Sequence, residues 1–314
     1  MNKRHTLFWL AICVILLYLT FRDSNFDNIY NFLIKTKFVY LLFVILADFC
    51  AITIRSLKWQ FLLFNIKVSK TRFGTDIKFS RIFRLIVIGL MVNTFLPFRM
   101  AEIIRSYILG EKENISKALV FGSTVIEGLW DIVFLFGVIG VSSFFLDLPQ
   151  WLCYGGYIAL FISVIFVLVI LFLNKIPVLK KFSIVRSFIE GTESFHNLRG
   201  IFLPLVYCFL EWLFGLIYIK FTLMSLKIDI SLAGIILILI AIYLSFSLTF
   251  VPGALGVFEF INKNILVGLL GVDVDQALSF IILLRVMLTI PITILGLVFL
   301  FIEWVSFREV RRGG

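Results

Sequence analysis

Apolar runs close to the length needed to cross a bilayer recur along this chain, at 8–19, 39–50, 158–173, 235–250 and 281–302. A helix crossing the hydrocarbon core needs roughly 20 such residues, so the runs read as membrane segments. A transmembrane barrel would instead show segments of about ten residues alternating apolar and polar, and no stretch here does. Helices are then the remaining structure that satisfies every backbone group inside lipid. Composition agrees, with 61% hydrophobic residues, 15% charged residues and a mean hydropathy of +1.08. Soluble domains carry about 25% charged residues, so a water-soluble fold is excluded. The first run follows Lys3 and Arg4 but leads to no small-x-small cleavage site, so it is read as a span rather than a signal peptide.

The net charge of +10 is distributed as a topology signal rather than as a nucleic-acid surface. Residues 55–84 hold eight basic side chains against Asp76, and 174–200 hold five against two acids. Both loops are expected on the cytoplasmic face by the positive-inside rule. The segments 147–150, 227–230 and 272–275 carry almost no positive charge and belong on the other face. With Lys3 and Arg4 inside, spans are expected at about 7–21, 38–54, 118–146 and 151–173, and a last one at 276–303 ends before Arg308, Arg311 and Arg312 inside. Ala118 must start inside for this to hold, so the apolar run before Pro97 cannot be a simple span. A re-entrant hairpin at 82–109 meets that condition. The segment 231–271, interrupted at Pro252-Gly253-Ala254-Leu255-Gly256, either dips in from outside and returns or makes two crossings; parity permits both, and the hairpin is the favoured reading. The expected fold is an all-α integral membrane protein, a polytopic helical bundle with both termini cytoplasmic. It forms a single transmembrane domain over 1–314, with a first half at 1–146 and a second at 151–304.

The two interruptions resemble each other. Thr94-Phe95-Leu96-Pro97 followed by Glu102 is matched 155 residues later by Thr249-Phe250-Val251-Pro252 followed by Glu259. An inverted repeat would produce two such breaks entering from opposite sides, and transporters built this way hold substrate near the midplane between broken helices.

Ionisable side chains inside apolar segments cost roughly 2.5 to 3.5 kcal/mol each on insertion scales, so each implies a partner, water or a task. They are Asp48, Arg99, Glu102, Arg105, Glu127, Asp131, Glu211, Glu259 and Arg285. Glu127 and Asp131 share a helix face and require a cation or proton between them. Arg285 needs a carboxylate, and the repeat alignment selects Glu127. Trp9, Trp59, Trp151 and Trp304 lie near expected span ends and read as interface anchors. Cys13, Cys50, Cys153 and Cys208 share no metal-ligand spacing. No phosphate loop, HExxH or GxSxG motif is present. Neither a cofactor nor a metal is expected, and loops of about 30 residues leave no room for a catalytic domain.

The series Asn93-x-x-x-Pro97-x-Arg99-x-x-Glu102-x-x-Arg105, Glu127-x-x-x-Asp131, Pro252-Gly253-x-x-Gly256-x-x-Glu259 and Arg285 resembles the lysylphosphatidylglycerol synthase transmembrane (flippase-like, UPF0104) family over nearly the whole chain. Members are similar to the membrane half of the multiple peptide resistance factor and to the membrane part of some archaeal dolichyl-phosphate glycosyltransferases. The resemblance implies a lipid-translocating domain whose polar groove accepts a headgroup. Phe98, Ala101 and Ala254 depart from positions where that pattern commonly has glycine, which puts the family's headgroup preference in question. With no synthase half in the chain, lysyl transfer is not expected.

The sequence therefore reads as a multi-pass cell-membrane protein that translocates a phospholipid or polyprenyl-phosphate-linked lipid with an anionic or zwitterionic headgroup. Arg99, Arg105 and Arg285 would hold phosphate, with Glu102, Glu127, Asp131, Glu211 and Glu259 orienting them or meeting an amine. The rival readings are a membrane-embedded transferase with Glu127 or Asp131 as base or metal ligand, and an accessory subunit for a separately encoded synthase or glycosyltransferase.

Overall fold

Backbone groups inside lipid have no water to bind, so apolar sequence is driven into long helices. The computed structural model describes residues 3–68, 71–72, 77–96, 100–145, 150–173, 183–192, 198–247 and 251–312. Among them are α1 (Lys3–Phe21), α2 (Phe26–Ile34), α3 (Phe38–Phe64), α4 (Phe79–Phe95), α5 (Ala101–Lys112) and α6 (Lys117–Ser142). The chain continues with α7 (Gln150–Leu173), α8 (Ser183–Gly191), α9 (Leu198–Ser225), α10 (Leu232–Ser247), α11 (Val257–Lys263) and α12 (Val274–Arg312). An antiparallel pair joins Lys67–Val68 to Thr71–Arg72. The protein is thus a helical integral membrane protein, and among the described residues four helices, α3, α6, α9 and α12, contain stretches long and apolar enough to cross a membrane.

Proline punctuates the helices unevenly. The α4 helix stops at Phe95, just ahead of Pro97, and the residue before a proline is disfavoured in the α region; residues 97–99 lie outside the described residues. Pro252 opens a 3-10 turn, Pro252–Ala254, in the break between α10 and α11. By contrast Pro204 and Pro291 sit inside α9 and α12 without ending them, as membrane helices tolerate.

Two helices lie where the sequence suggests only connections. In α2 the Asn25 side chain accepts the Asp27 N–H at 3.0 Å, a side-chain N-cap. Asn25 N and Asn28 Nδ2 both donate to the Asp275 carboxylate, at 2.9 and 2.8 Å, fastening α2 to the start of α12. The other, α8, packs on α6. The α3 helix also runs ten residues beyond the expected span end at Ile54, to Phe64.

The helices sort into two compact units. One comprises Met1–Ala51, Met91–Met100 and Trp212–Ile294; the other comprises Ile52–Leu90, Ala101–Glu211 and Leu295–Gly314. Each draws on both halves of the sequence, and boundaries fall inside α3, α4, α9 and α12. In the first unit α11 packs on α1 and α10, and Trp212 of α9 stacks on Tyr243 of α10 with ring centroids 4.6 Å apart. The second unit is built on α6, which packs against α5, α7 and α8. Its apolar core joins Leu62, Ile126, Leu129, Trp130 and Cys208. Glu303 near the end of α12 ties this unit together, accepting from Arg84 of α4 at 2.7 Å and from Lys112 of α5.

Candidate functional site: a buried charge network and a braced helix break

Within the second unit, α3, α5, α6 and α9 each turn a charged face inward, where apolar packing alone would leave each charge uncompensated. Glu127 and Lys58 have no solvent exposure, and Arg105 and Glu211 are nearly as buried. The i, i+4 spacing of Glu127 and Asp131 on α6 places both carboxylates on one face, and Arg55 of α3 is the cation between them. Its Nε lies 3.0 Å from Glu127 Oε1, its Nη2 3.4 Å from Asp131 Oδ2 and its Nη1 3.7 Å from Glu211 Oε1. Lys58, one turn along α3, donates to Glu211 Oε2 at 3.0 Å and to Asp131. Arg105 of α5 donates to the second Glu127 oxygen at 3.0 Å.

Three cations, Arg55, Lys58 and Arg105, thus face three carboxylates, Glu127, Asp131 and Glu211. The balance matters energetically, because removing one partner of a buried ion pair costs about 3–5 kcal/mol through the charge left behind. The network is not sealed: the side chains of Arg55 and Asp131 retain 20% and 18% exposure. The Arg105 guanidinium also lies 4.7 Å from the centre of the Trp59 ring, whose Nε1 donates to Ser123. Trp59 is fully buried and is not the interface anchor expected of it, because α3 carries it past the expected span end into the core.

The first unit holds the second helix break, braced by Arg285 of α12. Its Nη1 donates to the Gly253 carbonyl at 2.9 Å, its Nε lies 2.5 Å from Glu259 Oε1, and the guanidinium stacks 4.6 Å from the Phe258 ring. Glu259 also accepts the Gly256 N–H at 2.7 Å, satisfying a donor at the start of α11. The partner expected for Arg285 was Glu127. That expectation is corrected: Glu259, six residues beyond the Gly253 carbonyl that Arg285 also binds, takes the guanidinium, and Glu127 is occupied by Arg55 and Arg105.

Gly253 has φ +56°, and a Cβ there would lie 3.2 Å from the Thr94 carbonyl oxygen at the end of α4. The break after α10 therefore packs directly on the region that leads into the break after α4. Gly256, at φ +81°, similarly approaches the Cys13 carbonyl of α1, which a Cβ would meet at 2.9 Å. Ala254 has φ +54°. An L-residue pays about 1–2 kcal/mol in that region, so the departure from glycine at this position leaves local backbone strain.

Of the remaining expected site residues, Asn93 is half-buried in the last turn of α4, and Glu102 is half-buried in the first turn of α5. Pro97 and Arg99 lie outside the described residues. Sequence reasoning missed Arg55 and Lys58, which it assigned to a topology-setting basic loop. Their signal was the apolar run at 61–64 immediately after them, which prolongs the helix.

Comparison with known proteins adds the following. One UPF0104 membrane protein of Methanocaldococcus jannaschii is 25% identical over 222 residues, covering 68% of this chain and 94% of that protein. A second from the same organism is 31% identical over 122 residues, covering 38% of this chain and 34% of its own length. The family model described as the lysylphosphatidylglycerol synthase TM region matches residues 7–296. This helical membrane chain therefore belongs to the lysylphosphatidylglycerol synthase transmembrane-region family.

Proposed function

We propose that this chain moves a phospholipid or a polyprenyl-phosphate-linked lipid between the leaflets of a cell membrane, in which it is a multi-pass protein. The observation that carries the reading is the electroneutral network of Arg55, Lys58, Arg105, Glu127, Asp131 and Glu211 in membrane helices. Six ionisable groups are expensive to insert, and intramembrane ionisable residues mark substrate pathways. A packing device would achieve the same helix contacts with apolar side chains at lower cost.

Charge balance is also what a headgroup pathway requires. A lipid phosphate can replace a carboxylate on Arg55 by bidentate hydrogen bonding. A headgroup amine can replace a cation on Asp131. Both are the partly exposed members of the network, and a zwitterionic headgroup making both exchanges leaves the total charge unchanged. Family membership supports a lipid-related role.

The test is transfer of fluorescent phosphatidylglycerol and phosphatidylethanolamine between leaflets of proteoliposomes, read by dithionite quenching. Wild-type protein is expected to accelerate transfer over protein-free vesicles. Glu127→Gln and Arg105→Gln, checked for folding by size-exclusion profile, should each lose about ten-fold or more, the effect of 1.4 kcal/mol on a barrier. Wild-type vesicles no faster than empty ones, or variants as fast as wild type, would overturn the reading.

A further inference from the structure

Asp48 is a membrane-embedded carboxylate that the network does not use. It lies on α3 ten residues in from Phe38, on the face that packs into the first unit. Its companions on that face are Leu41, Val44, Ala47 and Ala51, all buried at the i, i+3, i+4 spacing of a packed stripe. Asp48 itself is 9% exposed. The residues three and four positions to either side of Asp48 on the helix, Val44, Ile45, Ala51 and Ile52, are all apolar.

The charges that might compensate it are engaged elsewhere. Arg55, seven residues along the same helix, spends its guanidinium on Glu127, Asp131 and Glu211. Within the first unit, α9 packs on this end of α3 through Phe221, stacked on Tyr40 and Phe43. The charged residue beside it, Lys220, lies near Asp229 and is 44% exposed. On α11 and α12, Glu259 and Arg285 bind each other. Lys263 is directed to the Leu19 and Thr20 carbonyls, and Asp275 to Asn25 and Asn28. Among the described residues the Asp48 carboxyl has no hydrogen-bond or ion-pair partner.

We propose that Asp48 is a proton-binding site that couples a proton gradient to the movement of lipid. Among apolar neighbours a carboxyl side chain costs least in its protonated form, the one that needs no counter-charge. When a conformational change admits water from one side, the acid gives its proton to that water and becomes a carboxylate. Water on the other side returns a proton before the stripe closes again. One proton crosses per cycle, and no co-reactant beyond water is needed. Proton binding follows from the surroundings of Asp48 alone, whereas what the proton drives rests on the lipid-translocation reading above.

The experiment compares wild type with Asp48→Asn, which keeps the shape of the side chain and removes its proton equilibrium. In proteoliposomes of phosphatidylethanolamine and phosphatidylglycerol, an imposed pH gradient should speed wild-type transfer of fluorescent phosphatidylglycerol several-fold. The variant should transfer at one rate with and without the gradient. A variant that responds as wild type does, or a wild type that responds only to a sodium gradient or to none, overturns the coupling. Infrared difference spectra of the same proteins in nanodiscs at neutral pH read proton binding without any lipid movement. A protonated-carboxyl stretching band that shifts in deuterated water and is absent from Asp48→Asn is expected. Superimposable spectra would overturn the proton site, whereas the band in a protein that moves no lipid would leave it standing and remove the translocation reading.

Discussion

Lys58 has no solvent exposure and two carboxylates within reach, Asp131 and Glu211. Lys58→Met keeps an apolar stem but leaves three acids against two cations in the network. The expected cost is about 3–5 kcal/mol of stability, seen as a fall in the thermal unfolding midpoint in detergent. Adding Glu211→Gln restores the balance and should recover part of the loss, with a coupling of about 0.5–3 kcal/mol between the two positions. A Lys58→Met protein as stable as wild type would show that the network is not compensated as the geometry implies. Glycine gives a second residue-level contrast. Gly253→Ala forces a Cβ towards the Thr94 backbone at φ +56° and should destabilise by about 1–2 kcal/mol. Gly137→Ala, with no atom within 4 Å of its added Cβ, should be neutral or stabilising by about 1 kcal/mol, since alanine is the better helix former. At this scale the acidic half of the network was legible as charge inside apolar sequence. Of its basic half Arg105 was legible in the same way, whereas Arg55 and Lys58 were not, because they follow the end of the hydropathic run and resemble ordinary flanking charges.

Elements were legible in proportion to their length. The long apolar segments of α3, α6, α7 and α12 stand out in sequence because a window of about 20 residues matches the hydrocarbon thickness. The nine-residue helices α2 and α8 fall below that window, and their pattern becomes visible only at helical spacing. In α2 the residues Phe26, Tyr30 and Ile34 share an exposed face while Ile29 is buried. The end of α12 depends on a different device. Glu303 is buried and receives both Arg84 and Lys112, so one acid holds three helices together. Glu303→Gln leaves the two cations facing a neutral amide. Amide hydrogen exchange in α5 and in α12 beyond residue 295 should accelerate, while exchange in α11 stays as in wild type. Exchange in Glu303→Gln unchanged from wild type would mean that apolar packing, such as Phe83 on Phe299, suffices to hold the three helices.

At the level of the molecule, each compact unit draws on segments from both halves of the sequence. Helices long enough to continue from one unit into the next make that possible, and no local pattern marks where a helix changes its packing partners. Which side each connection faces is governed by charge, since positive residues are retained on the inside. The basic stretch 55–84 leads into α4 and α5, which end at the turn around Asn114, where φ is +54°. With 12 residues, α5 spans about 18 Å at 1.5 Å per residue, too short for a hydrocarbon core of about 30 Å. The α4–α5 pair should therefore enter and return, placing Asn114 on the same side as both termini. In a background lacking reactive cysteines, Asn114→Cys is expected to react with a membrane-impermeant maleimide in inverted vesicles and not in intact cells. A cysteine at Ser231 should show the opposite pattern. Green fluorescent protein fused after Gly314 should fluoresce, and alkaline phosphatase fused there should be inactive. Labelling of Asn114→Cys from outside intact cells would convert the pair into a crossing and reverse the sidedness of every helix from α6 onward.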